Sequence, residues 1–102
     1  MPIVVATLRT RPDTVEEVID VYRRLIPRVH DEVGCELFSL HRGEGVVTLI
    51  ERWTTASDLQ AHSVSPVFQE ISSALRGLLA SRPEIQVLES IPAGTTTQGI
   101  VG

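Results

Sequence analysis

The segment Pro2-Ile3-Val4-Val5-Ala6-Thr7-Leu8-Arg9 constrains the fold most, because it is apolar on both of its alternations. Successive side chains of a strand point to opposite faces, so Val4, Ala6 and Leu8 share one side while Ile3, Val5 and Thr7 share the other. A strand of that kind needs cover on both faces, which predicts a central place in a sheet. The breaker Arg11-Pro12-Asp13 closes it. Asp13 then reads as the N-cap of a helix, with Glu16 completing a capping-box-like pair and Glu17 favoured near the positive end of the dipole. Val15, Val18, Ile19, Tyr22, Leu25, Ile26 and Val29 follow at helical spacing. Pro27 is expected to kink this helix and Gly34 to mark its end.

Cys35–Arg42 and Val46–Thr54 read as two strands of a hairpin, turned at Arg42-Gly43-Glu44-Gly45 where glycine permits positive φ. Ser57 with Gln60 suggests the capping box of a short helix, and Ser65-Pro66 a second helix start with Ser as N-cap and Pro at the first position. Val67, Phe68, Ile71, Leu75, Leu78 and Leu79 supply its apolar stripe. Ile85, Val87 and Ile91 alternate with polar residues in a last strand, with Leu88 and Glu89 blurring the pattern. Residues 1–91 are thus expected to form a single domain, and residues 92–102, rich in Gly and Thr, a flexible tail or an arm lying on a partner.

The order β-α-β-β-α-β predicts a split βαβ sheet, antiparallel, with both helices on one face. Simple alternation places Val4, Ala6, Leu8, Cys35, Leu37, Ser39, His41, Val47, Leu49, Glu51 and Trp53 on the helix side. Ile3, Val5, Thr7, Phe38, Leu40, Val46, Thr48, Ile50 and Leu88 then fall on the opposite face, with Arg9, Glu36 and Arg52 toward its ends. That face is too apolar for water, and a chain of 102 residues has little core of its own. A face-to-face homodimer is therefore expected, burying the usual ~800 Å² per partner.

The chain carries a net charge of −4 and all nine of its basic residues are Arg. This balance argues against a nucleic-acid or anionic-membrane surface. No apolar run approaches the roughly 20 residues of a membrane-spanning helix. Cys35 is the single cysteine, so no intrachain disulfide forms. Met1 to Leu8 is too short and uncharged for a secretory signal, and the expected location is the cytoplasm. Nucleophile-elbow, phosphate-loop, dinucleotide and zinc motifs are absent. His30, His41 and His62 lie on separate elements without ligand-type spacing, so no metal site is expected.

The densest signal is Glu51-Arg52-Trp53, then Asp58-Leu59-Gln60-Ala61-His62, then Ser65-Pro66-Val67-Phe68. Together with Gly34-Cys35 and the closing segment Pro83 to Leu88, these residues resemble the antibiotic biosynthesis monooxygenase family over residues 3–91. The resemblance implies an α+β, ferredoxin-like βαββαβ subunit forming a dimeric α+β barrel. It also implies oxygenation of quinols, anthrones or related phenols by O₂ with no metal, flavin or other cofactor. A deprotonated electron-rich phenol can itself reduce O₂, so such a protein needs only to bind it, steer its proton and exclude water.

On that resemblance Trp53 and Phe68 wall the pocket, and the Trp53 indole N–H is available to a substrate oxygen; otherwise both are core. His62 follows Leu59 by one helical turn and shares its inward face. Histidine ordinarily titrates near pH 6.5, so His62 is the first candidate to bind or deprotonate a phenol, against a structural role at a helix end. His41, placed on the Trp53 side near the hairpin, is the second. Glu51 either orients a site group or, the preferred alternative, forms an ion pair with an Arg. Cys35 reads as a packing residue. Leu49 stands where a polyketide-pathway member has an Asn that orients substrate. Ala6 or Thr7 and Ser72 stand where haem-degrading relatives have Asn and His, so haem degradation is not expected. Two alternatives remain open: a non-catalytic small-ligand or stress-response dimer, and an isomerase of a small oxygenated metabolite.

Overall fold

The structure is a computed structural model and describes residues 1–101; Gly102, the last residue of the tail expected from the sequence, lies outside the described residues. The elements run β1 (Pro2–Arg9), α1 (Val15–His30), β2 (Cys35–Gly43), β3 (Val46–Trp53), α2 (Ala56–Ser63), α3 (Pro66–Ala74) and β4 (Glu84–Glu89). The strands form one antiparallel sheet in the order β2-β3-β1-β4. The doubly apolar β1 is thus interior, as its composition requires, and the α+β fold is the one expected.

Alternation holds along β1 and β3: Val4 pairs with Glu51, Ala6 with Leu49 and Leu8 with Val47. These side chains, with Trp53, are all buried on the helix side. It fails along β2. Cys35 pairs with Trp53, but the next pairing is Leu37 with Arg52, so a bulge at Glu36 shifts the register. One extra residue reverses the facing of everything after it. Phe38 and Leu40, paired with Glu51 and Leu49, therefore face the helices, while Leu37, Ser39 and His41 turn to the open face with Arg52, Ile50 and Thr48. The expected placement of these five residues is corrected accordingly.

Helix starts also differ from expectation. Thr14, not Asp13, precedes α1, and its hydroxyl donates instead to the Leu78 carbonyl at 2.6 Å, tying the helix start to the chain after α3. Pro27 lies within α1, which runs on to His30. Thr55, not Ser57, caps α2, accepting from the Asp58 N–H at 3.0 Å. Ser65 caps α3 as expected, with Pro66 at its start. Helix α3 ends at Ala74, short of Leu78 and Leu79, and Gly77 then adopts φ +79.

The core lies between one sheet face and α1 with α3, built from Val18, Tyr22, Leu25, Val29, Val67, Ile71 and Leu75 against the inward residues of β1 and β3. Burial of such side chains contributes ~1.5–3 kcal/mol each. Among the described residues no helix covers β4, whose inward residues Ile85 and Val87 are 57% and 61% exposed. On the other face, the chain after β4 turns at Thr95–Gly99 and folds back near Ile3 and Leu88. There the Val101 carbonyl accepts from Arg52 Nη1 at 2.6 Å. Among the described residues, no helix is long and apolar enough to cross a membrane.

Candidate active site

A cavity of about 80 Å³ opens between the helix side of the sheet and α3. Its walls are largely apolar, from Leu8, Phe38, Leu49, Phe68, Ile71 and Leu75. Three groups able to handle a proton also line it: Tyr22 of α1, Glu51 of β3 and His62 of α2. Ser72, Pro83 and Ile85 line it too and are exposed, which puts its mouth at the uncovered β4 edge.

His62 is held on every side. Its ring stacks on Trp53 with centroids 4.7 Å apart, and meets Phe38 and Phe68 edge-on at 5.6 and 5.3 Å. Its Nδ1 lies 2.7 Å from Glu32 Oε1. Glu32 belongs to the turn between α1 and β2, where its N–H donates to the Val29 carbonyl and its own carbonyl accepts from the Cys35 N–H. The turn packs closely on α2: Gly34 adopts φ +82, and a Cβ there would overlap the Asp58 side chain. Only glycine fits that position, and its fit brings Glu32 within reach of His62.

Glu51 is buried and, among the described residues, forms no ion pair with an Arg. It accepts instead from Trp53 Nε1–H at 3.0 Å. The arginine partner expected from the sequence is replaced by the indole two residues along the same strand. Burial pushes the Glu51 carboxyl above the usual carboxylate range, and Glu32 adds to this by like charge. The Trp53 hydrogen bond and His62 act the other way. Burial, with the charge of Glu51, likewise raises the Tyr22 phenol.

The expected site residues therefore divide. His62, Phe68, Leu49 and Glu51 meet at the cavity. Trp53 is fully buried behind His62, with its N–H committed to Glu51, so it supports the cavity and does not present a donor to it. His41 is not at the site. The Glu36 bulge turns it to the open face, where it is exposed and its Nε2 lies 2.8 Å from Ser39 Oγ. Glu32, Tyr22 and Phe38 were not foreseen. Phe38 and Leu40 are the bulkier apolar pair of β2, which was the available sign that they, not Ser39 and His41, face inward. No group of three His, Cys, Asp or Glu side chains converges to hold a metal among the described residues.

The family model for antibiotic biosynthesis monooxygenases matches residues 1–74. The chain belongs to that family. YgiN of Escherichia coli K12, whose name reads "probable quinol monooxygenase", is 29% identical over 87 residues, covering 72% of this chain and 84% of YgiN. A Caulobacter crescentus structure carrying the same family name is 29% identical with a TM-score of 0.82, covering 88% of this chain and 89% of that one. Rv0793 of Mycobacterium tuberculosis is similar in fold, with a TM-score of 0.83 at 23% identity over 93% of this chain and all of that one.

Proposed function

We propose that this member of the family is a monooxygenase acting on a small electron-rich aromatic of the quinol or anthrone type, with O₂ as oxidant and no resident cofactor. The observation that carries the reading is the His62 imidazole lining a largely apolar cavity, with one ring nitrogen engaged by Glu32. His62 takes the phenolic or ring-carbon proton, and the resulting anion reduces O₂ directly. For a ring methylene the balance closes without an external reductant: the carbon becomes a carbonyl, one oxygen atom enters it, and the other leaves as water. All four electrons come from the substrate. Apolar walls favour the transfer by excluding water from the anion.

The cavity is smaller than the roughly 150 Å³ void that admits benzene in an engineered protein core. A substrate ring therefore extends through the mouth between α3 and β4, with its reactive end against His62. Phe68, half-buried in the wall, is the side chain whose movement enlarges the space.

The same reading includes a homodimer through the open sheet face. Val5, Leu37 and Ile50 lie there only half-buried in the single chain. A second copy laid on this face covers them, beside the folded-back tail that crosses one end of the same face.

Oxygen uptake above autoxidation, measured with metal-stripped protein and a panel of hydroquinones and anthrones, tests the function. Saturable uptake with at least one ring system is expected. Binding without turnover throughout the panel would contradict the enzyme in favour of a ligand-binding dimer, and conversion without O₂ consumption would point to an isomerase.

A further inference from the structure

Two carboxyl groups lie near His62, and they are not equivalent. Glu51 faces the cavity and is committed through Oε1 to the Trp53 indole. Glu32 lies outside the cavity lining and bonds the imidazole itself, Oε1 to Nδ1 at 2.7 Å. The two ends of this second pair differ in access: the His62 side chain is 5% exposed and that of Glu32 19%. The Glu32 backbone is pinned in its turn at both N–H and carbonyl, and the turn is latched to the end of β3 by the Thr54 N–H donating to the Gly34 carbonyl at 2.9 Å.

An acceptor fixed at Nδ1 selects the tautomer that carries its proton there. The other nitrogen, Nε2, then keeps its lone pair for whatever occupies the cavity. A base in a cavity whose mouth the substrate fills also has to dispose of the proton it takes.

We propose that Glu32 is the positioning residue of this site: it holds His62 in the Nδ1–H tautomer and, when a proton is taken up at Nε2, exchanges the Nδ1 proton with solvent. This rests on the monooxygenase reading for the proton's origin, but not for the tautomer. In the step, the substrate O–H or C–H bond breaks and an Nε2–H bond forms. The Nδ1 proton passes to the Glu32 carboxylate and from there to water, leaving the neutral Nε2–H ring. Nε2 then gives its proton to the reduced oxygen that leaves as water, and a solvent proton returning through Glu32 to Nδ1 restores the starting tautomer. No electrons move in this transfer, and the substrate anion keeps the pair that O₂ later accepts.

The experiment uses the full chain labelled with ¹⁵N-histidine, without substrate, at a pH where the imidazole is neutral. Long-range ¹H–¹⁵N correlations should show His62 protonated at Nδ1 and bare at Nε2. Glu32→Gln keeps an amide oxygen that accepts from Nδ1 and should keep the tautomer. Glu32→Ala should give a mixture. In oxygen-uptake assays both variants should lose at least tenfold in kcat with little change in KM, and formate should restore part of the rate to Glu32→Ala only.

An Nε2–H tautomer in the wild type, or an unchanged tautomer in folded Glu32→Ala, would overturn the positioning role. Wild-type kcat in Glu32→Gln would overturn the proton path. If Glu32→Ala does not fold, the near-isosteric Glu32→Gln still decides the path and the wild-type spectrum the tautomer. A wild-type protein that turns over no quinol or anthrone removes the oxygenase reading and the proton path with it, while the tautomer measurement still decides the hold of Glu32 on His62.

Discussion

Glu51 shows how a single buried group ties the site to stability. Its carboxyl is raised, chiefly by burial, so the folded chain keeps a proton there that the unfolded chain gives up at the ordinary glutamate value of about 4.3. Between those two values the native state binds more protons, and stability falls as pH rises through that window. Glu51→Gln cannot titrate and retains an acceptor for Trp53. Urea unfolding at pH 4 and at pH 8 should therefore show the wild type losing ground to the variant at the higher pH; a constant difference would contradict the assignment. Cys35 gives a second check. Burial first, then the charges of Glu32 and Glu51, push its thiol up to about 11. Iodoacetamide at pH 7.5 should modify it more slowly in the folded protein than in the unfolded chain, as expected of a packing residue; equal rates would say otherwise.

At the scale of elements, most of the fold was legible because its signals are local. The alternation of β1 and β3, the glycines of the hairpin, and Ser65-Pro66 at the start of α3 each depend on a few neighbouring residues. The register of β2 was not legible by alternation, because a bulge is decided by pairing with β3 and no fixed residue type marks it. That single residue at Glu36 moved His41 out of the site and Phe38 into it. Glu32 escaped for a related reason: it lies 30 positions from His62 in sequence, and only the packing of the Gly34 turn on Asp58 joins them. Phe38→Ala should thus cost about 3–5 kcal/mol, the usual loss for a buried phenylalanine, while Ser39→Ala costs little. Denaturant titration of the two variants reads the facing of β2, and the reverse order would place the bulge elsewhere.

The whole molecule has two unfinished surfaces, the open face of the sheet and the β4 edge at the cavity mouth. The open face was foreseen from the doubly apolar β1 together with the element order, since right-handed crossovers in a split βαβ sheet put the helices on one side. Val5→Glu should put a charge at its centre and yield monomers by gel filtration with light scattering, where the proposed dimer is expected of the wild type; a wild-type monomer at micromolar concentration would remove the dimer. The cavity is the more consequential feature, because it gathers His62 with Glu51 and excludes His41. The most direct test compares saturable oxygen uptake by wild type, His62→Ala and His41→Ala on one quinol or anthrone substrate. The site described predicts a loss of about 10²–10⁴-fold for His62→Ala, the usual contribution of a positioned acid or base, and near wild-type turnover for His41→Ala. Unchanged turnover in His62→Ala, or a loss confined to His41→Ala, would contradict it.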